Sequence, residues 1–126
     1  MDLSAYFDSE LDEHEGVVRA TRALKDEFVR LCDICTGAVE RGNKIAFFGN
    51  GGSAGDAQHL ATELVCRYKV NRRAIAAIAF TTDTSLITAA ANDFGYHTVF
   101  ARQVEALCKP GDVCIGITTS GESPNV

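Results

Sequence analysis

The spacing of apolar residues divides the chain into two parts with different periodicities. Between Ser9 and Ala38, apolar side chains recur at intervals of three and four residues, as Leu24, Phe28, Leu31 and Ile34 do. This is the spacing of one helix face, so we predict a long helix here, interrupted near Gly16 and followed by a stop signal at Gly42. Such a helix has more apolar surface than a small sheet covers, which favours packing against a second subunit.

The rest of the chain alternates short apolar runs with helical patterns. Residues 44–48, 74–80 and 113–117 are mostly apolar and are predicted to be buried strands. Helices are predicted at 54–68, at 97–107, and from a Thr82-Asp83 cap to residue 91. Strands that alternate with helices form parallel sheets covered on both faces. We therefore predict an α/β fold, a doubly wound parallel sheet of three strands preceded by the long helix.

Two loops rich in glycine and hydroxyl residues, Gly49–Ser53 and Thr118–Ser123, follow the first and third predicted strands. Each is predicted to open a helix, whose free N–H groups would form an anion site. If the second and third strands flank the first, the two loops meet at a switch point of the sheet. Together they predict a cradle for a phosphorylated small molecule, although each loop alone is more typical of an ordinary strand-to-helix turn.

The first loop does not fit the common nucleotide motifs. It lacks the lysine of a P-loop, and Gly49-x-Gly51 is followed by Ala54 where the dinucleotide pattern has its third glycine. A nucleotide-binding fold is therefore not supported.

Two further groups of polar residues have both a chemical and a simpler interpretation. His59 and Glu63 lie four residues apart on one helix face, where they could ligate a metal, or Glu63 could act as a base. The simpler interpretation, which the two residues alone favour, is a solvated helix pair or a capped core histidine. Asn92 and Asp93 either contact ligand hydroxyls or simply end a helix. The basic residues between Arg67 and Arg73 form either a solvated face or a phosphate contact.

Composition and charge narrow the possible partners. The 126 residues suit one domain, with a helical segment at 1–40 and an α/β core at 44–126. A net charge of −5 without a basic run argues against nucleic acid as a partner. No apolar stretch approaches a membrane span, and the acidic N-terminus does not have the pattern of a signal peptide. We expect a cytoplasmic protein whose five cysteines are reduced and mostly buried.

Four segments together resemble the sugar isomerase (SIS) domain family, and within it the phosphoheptose isomerases. They are FFGNGGSAGDAQHLATEL (47–64), AIAFTTDTSLITAAANDFGY (77–96), FARQVEAL (100–107) and GDVCIGITTSGESPNV (111–126). The resemblance implies a homotetrameric enzyme that converts sedoheptulose 7-phosphate to D-glycero-D-manno-heptose 7-phosphate. This aldose–ketose isomerisation supplies heptose for lipopolysaccharide or other surface glycans.

The resemblance also implies roles for individual residues. Glu63 matches the catalytic residue that moves a proton between the first two sugar carbons, and His59 and Glu63 match two ligands of a zinc ion. Glu63 is also matched as a substrate contact, together with Asn50, Gly51, Gly52, Ser53, Asn92, Asp93, Thr118, Thr119, Ser120 and Ser123.

The family pattern continues beyond this sequence, with a helix, further strands, and a Gln and a His that complete the metal site and provide the second acid/base. The resemblance therefore implies that the C-terminal part of the fold is missing here. We expect at most residual isomerase activity from the 126-residue chain itself. The alternative is a non-catalytic SIS module that binds a sugar phosphate or docks on a replication initiator, although Glu63 favours the enzyme.

Overall fold

The computed structural model describes residues 2–126, which divide into two compact units. The first unit extends to Ile34 and the second comprises Cys35–Val126. No helix among these residues is long and apolar enough to cross a membrane.

The predicted N-terminal helix is present as two α-helices joined by a short 3-10 turn. Helix α1 (Leu3–Thr21) is followed by the turn at Arg22–Leu24 and by α2 (Lys25–Glu40). Gly16 lies inside α1, so the prediction of an interruption there is wrong. A single exposed glycine costs a helix only about 1 kcal/mol, which a long helix tolerates. None of the residues of α1 is buried.

The second unit holds the end of α2, followed by three strands and three further α-helices. Their order is β1 (Ile45–Gly49), α3 (Gly51–Val65), β2 (Ala77–Ala79), α4 (Thr84–Phe94), α5 (Ala101–Leu107) and β3 (Val113–Ile117). Asp83 caps α4 as predicted, because its carboxylate accepts a hydrogen bond from the Leu86 N–H at 2.9 Å. The first and third strands lie within one residue of their predicted positions.

The sheet is parallel, and β1 is its central strand. The strand order is β2-β1-β3, with Ile45 in register with both Ala77 and Val113. The predicted second strand at 74–80 is too long, because only Ala77–Ala79 pair with β1. The predicted arrangement, with the second and third strands on opposite sides of the first, is confirmed.

The central strand buries both of its faces. Ala46 and Phe48 pack with Phe80, Val99 and Phe100 on the side of α4 and α5. Ile45 and Phe47 pack on the other side against Ala57 and Ala61 of α3. Because side chains alternate along a strand, a continuous apolar run is what a strand covered on both sides requires.

Two helix predictions differ from the structure in ways that affect the candidate site. Asn92 and Asp93 lie in the last turn of α4, whose C-cap residue is Gly95 (φ +93°), rather than in a loop. The predicted helix at 97–107 is divided into a 3-10 turn at Tyr96–Thr98 and α5.

The prediction that the cysteines are mostly buried is wrong. The side chains of Cys32, Cys66 and Cys114 are exposed, and those of Cys35 and Cys108 are half-buried. Apolar neighbours in sequence do not ensure burial when a residue lies at a helix end, as Cys66 does, or on an outer strand, as Cys114 does.

Candidate functional site

The two glycine- and serine-rich loops leave the sheet side by side. Gly49, the last residue of β1, is in register with Ile117, the last residue of β3. A Cβ atom at Gly49 would lie only 2.6 Å from the Ile117 carbonyl oxygen and 2.9 Å from the Cβ of Ser53. Only glycine therefore allows β1, β3 and the start of α3 to approach so closely. The two loops are neighbours at the carboxyl edge of the sheet, where ligands of open α/β sheets bind.

The first loop is shorter than predicted, because α3 begins at Gly51 rather than at residue 54. Gly51, Gly52 and Ser53 form its first turn, and the Ala54 N–H is bonded back to the Asn50 carbonyl at 3.3 Å. Gly51 has φ +53°, a backbone conformation that favours glycine, and the first-turn N–H groups make no bonds within the helix. These unpaired N–H groups and the positive end of the helix dipole favour an anion.

Asn50, at the N-cap position, is held by side chains from distant parts of the chain. Its amide exchanges two hydrogen bonds with the amide of Asn125, each 2.8 Å long. The Tyr96 hydroxyl donates a third bond, of 2.9 Å, to the Asn50 side-chain oxygen. The Asn50 side chain makes no cap bond to α3. This cluster therefore connects the first loop both to the segment just after the second loop and to the turn after α4.

The second loop collects hydroxyl groups. The Thr118 hydroxyl lies 3.4 Å from that of Ser120 and 3.3 Å from that of Ser123, and it accepts a bond from the Gly121 N–H at 3.2 Å. Thr119 is exposed beside them. The predicted helix does not follow within the described residues, since 118–126 form turns and bends. Hydroxyl and N–H groups gathered in one turn are suitable donors for a phosphate.

His59 and Glu63 face each other on α3, with 3.6 Å between His59 Nε2 and Glu63 Oε1. The glutamate side chain is 29% exposed and the histidine side chain 73%. Two ligands of a tetrahedral zinc ion lie about 3.4 Å apart, so this pair fits two positions of such a site. No third His, Cys, Asp or Glu joins them within residues 2–126. The described residues can thus supply part of a zinc site but not a complete one.

Within the basic cluster between Arg67 and Arg73, Arg72 binds the protein backbone. Its guanidinium donates to the backbone carbonyls of Glu63 and Leu64, at the end of α3. Arginine in this position satisfies carbonyls that the helix leaves unpaired. Its role in the structure is to cap the helix that carries His59 and Glu63.

Asn92 and Asp93 are exposed and bonded to each other, with 2.8 Å between the Asn92 amide nitrogen and an Asp93 carboxylate oxygen. They lie one turn before Tyr96, which does reach the first loop. The structure thus brings together Asn50 with Tyr96 and Asn125, His59 with Glu63, and the hydroxyls of the second loop. It shows no hydrogen bond from Asn92 or Asp93 to either loop among the described residues.

Sequence reasoning missed Tyr96 and Asn125. Tyr96 belongs to one of the segments that carry the family resemblance, and Asn125 to another, but neither has a local pattern that indicates a contact. Both meet Asn50 only after the strands have paired, since Asn125 is 75 positions away in sequence.

Comparison with known proteins gives consistent matches over almost the whole chain. The model of the SIS domain family matches residues 11–126. A phosphoheptose isomerase of Paramagnetospirillum magneticum is 56% identical over 100% of this chain and 66% of its own length. A phosphoheptose isomerase of Aquifex aeolicus is 61% identical over 92% of this chain and 65% of its own length. The chain thus spans slightly less than two thirds of these relatives.

Solved structures match in the same way. Phosphoheptose isomerase GmhA from Neisseria gonorrhoeae superposes with a TM-score of 0.82 at 39% identity, covering 98% of this chain and 62% of the other. A phosphoheptose isomerase from Francisella tularensis gives a TM-score of 0.74 at 32% identity, covering 92% of this chain and 65% of the other.

Proposed function

Since the chain belongs to the SIS domain family, we propose that it carries the sugar-phosphate site of a phosphoheptose isomerase. The proposed reaction converts sedoheptulose 7-phosphate, a ketose, to D-glycero-D-manno-heptose 7-phosphate, an aldose, for the synthesis of surface-glycan heptose. The names of the relatives and the geometry of the site support the same reaction class.

The observation that carries this proposal is the adjacency of the two loops. Both loops follow neighbouring strands and lie at the same edge of the sheet. The first loop offers the N–H groups at the start of α3, and the second offers the hydroxyls of Thr118, Ser120 and Ser123. A phosphate dianion needs several such donors, because each oxygen accepts more than one hydrogen bond. In this proposal the second loop holds the phosphate, while Asn50, Asn92 and Asp93 contact the sugar.

Glu63 is the residue proposed to move the proton. Its carboxylate takes a proton from C1 of the ketose, which gives an enediol, and returns it to C2 to form the aldose. The side chain is partly shielded, which suits a base that must meet substrate without full hydration. Transfer of the hydroxyl proton between O1 and O2 needs a second acid/base group, and neither His14 nor His97 matches the family position for it.

We also propose that His59 and Glu63 provide two ligands of a zinc ion. When bound, such an ion would polarise the oxygen atoms of the substrate. The 3.6 Å separation between His59 Nε2 and Glu63 Oε1 supports this part of the ligand set. The remaining ligands would come from outside the described residues.

The proposed setting is a cytoplasmic homotetramer. The exposed apolar side chains of α1 and α2, such as Phe7, Phe28 and Ile34, support assembly, because a monomer would leave them in water. The free thiols of Cys32, Cys66, Cys108 and Cys114 support a reducing compartment.

The first step of the reaction provides the sharpest test. The chain is incubated with sedoheptulose 7-phosphate in D₂O, and deuterium entering at C1 is followed by NMR. This exchange needs a bound sugar and a base but no complete isomerisation, so we expect it for the 126-residue chain even where net turnover is only residual. Glu63→Gln should abolish it, whereas Glu105→Gln, a change at an exposed glutamate of α5, should not.

Binding is measured on the same proteins by thermal denaturation. Sedoheptulose 7-phosphate should raise the Tm of the wild type and of Glu63→Gln, and the unphosphorylated sugar should not. Exchange that persists in Glu63→Gln would remove this residue from the mechanism. Stabilisation without any exchange in the wild type would favour the non-catalytic binding module. If the wild type shows neither stabilisation nor exchange, the proposed sugar-phosphate site is refuted.

A further inference from the structure

Two cysteines outside the candidate site lie side by side at the start of β3. The sulfur atoms of Cys108 and Cys114 are 3.7 Å apart, within S–H···S hydrogen-bond distance. Cys108 is the C-cap residue of α5 and is half-buried, while Cys114 is the second residue of β3 and is exposed. A disulfide bond is about 2.05 Å long, so the two sulfurs would have to approach each other by less than 2 Å to form one.

The turn between the two cysteines is fixed by Asp112. Its carboxylate accepts bonds from the N–H groups of Lys44, at 2.9 Å, and Lys109, at 2.8 Å, and also pairs with the Lys44 ammonium group. Asn43 donates to the same carboxylate and to the Pro110 carbonyl. The Asp112 side chain is only 4% exposed, so these bonds are shielded from water. The backbone on both sides of the sulfur pair is therefore held in place before any reaction.

We propose that Cys108 and Cys114 are a reversible dithiol–disulfide pair, oxidised by small disulfides of the glutathione class. The exposed Cys114 thiolate attacks the small disulfide, which forms a mixed disulfide and releases one thiol. Cys108 then loses its proton and attacks the Cys114 sulfur, which expels the second thiol. One protein dithiol and one small disulfide thus become one protein disulfide and two small thiols, with no further electron acceptor.

The environments of the two sulfurs suit these roles. Burial and the adjacent Cys114 sulfur raise the pKa of the Cys108 thiol to about 11, so Cys108 is a poor first nucleophile but remains close to its target. The pair lies at the start of β3, whereas the hydroxyl loop follows its end, about 13 Å along the strand. The proposal therefore does not depend on the isomerase function.

The test uses the intact chain and oxidised glutathione. After reaction, remaining thiols are alkylated, and the protein is analysed by intact mass and peptide mapping. We expect the loss of two hydrogens (about 2 Da), a 108–114 cross-link, and no glutathione retained on this pair. Cross-linking of this pair should exceed that of any other cysteine pair roughly tenfold, because the turn holds the sulfurs together.

Single variants separate the two steps. In Cys108→Ser the reaction should stop at a stable glutathione adduct on Cys114, and in Cys114→Ser the Cys108 thiol should stay unmodified. Cys66→Ser, a change at an exposed cysteine outside the pair, is the control and should form the 108–114 cross-link as the wild type does. A wild type that retains glutathione on Cys114 without a cross-link would overturn the proposal, as would equal cross-linking of other pairs. Cys114→Ser changes an exposed side chain, so it keeps the test decisive if Cys108→Ser does not fold.

Discussion

At the end of β1, Gly49 occupies a space that no side chain could share. The Ile117 carbonyl oxygen lies 2.6 Å from where its Cβ would be, and this oxygen belongs to the backbone of a paired strand and cannot move away. We predict that Gly49→Ala destabilises the chain by about 1–3 kcal/mol and weakens phosphate-dependent stabilisation, because β1 and β3 must separate. Urea denaturation and ligand thermal shifts measure the two effects.

Gly55 provides the matched control, since a Cβ there would meet no atom within 4 Å. Gly55→Ala should be neutral or stabilising by up to about 1 kcal/mol, because alanine favours the helix. Equal destabilisation by both substitutions would show that the close approach at Gly49 is not the cause.

The side-chain amides of Asn50 and Asn125 depend on each other for their hydrogen bonds. Asn125 is 8% exposed and its hydrogen bonds to Asn50 are reciprocal, so either alanine substitution leaves the partner amide with unpaired groups. We expect about 1–3 kcal/mol lost in each single variant and a double variant that costs less than their sum. A double-mutant cycle by urea denaturation measures this coupling, and strict additivity would contradict it.

Individual contacts were the least predictable feature of this chain. The sequence indicated that Asn50 and the hydroxyl loop belong to one site, because both follow apolar runs and both fit the family segments. It could not indicate that Tyr96 and Asn125 fix Asn50, since these contacts join residues 46 and 75 positions apart in sequence. The spacing of His59 and Glu63 did predict their contact, because a helix places residues four apart on one face.

At the scale of elements, the turn between α5 and β3 makes the stability of the chain depend on pH. Hydrogen bonds from the Lys44 N–H and ammonium groups, and then from the Lys109 N–H, hold the pKa of the Asp112 carboxyl well below its usual range. A lowered folded-state pKa stabilises the chain above the unfolded value of about 3.9, and this contribution is lost as the pH falls below that value.

We therefore predict that Asp112→Asn lowers Tm at pH 7, and that the difference from the wild type narrows below about pH 4. The variant amide also places N–H groups against the Lys44 and Lys109 donors. Thermal unfolding between pH 7 and pH 3 measures the effect, with Asp56→Asn, a change at an exposed carboxylate of α3, as the control. A constant difference at all pH values would contradict the charge-based explanation.

The sequence predicts the position of a strand well where the buried apolar residues are the same residues that pair with a neighbouring strand. Both faces of β1 are buried along its whole length, so its apolar run matched the strand closely. The run at 74–80 is longer than the three residues that pair with β1, and apolar composition cannot show where strand pairing begins and ends. The predicted start of α3, at residue 54, is three residues late because glycine lowers helix propensity, although the structure has two glycines in the first turn.

At the scale of the whole molecule, the exposed apolar residues of α2 predict self-association. Phe28 is 65% exposed, and burying such a side chain contributes about 1.5–3 kcal/mol. Phe28→Ser should weaken assembly by roughly tenfold or more at each contact, as measured by sedimentation velocity over a concentration series. Asp33→Ser, a change at an exposed polar residue of the same helix, is the control. A monomeric wild type would contradict the homotetramer.

The central position of β1 also determines how this chain must fold. Ile45 pairs with Ala77 and with Val113, both far along the chain, so neither strand pair can form by a local hairpin. Folding that depends on such distant pairings has a high contact order and is slow for its size. The two loops become neighbours only when β3 joins β1. The ability to bind an anion should therefore arise late in refolding, together with the closure of the sheet.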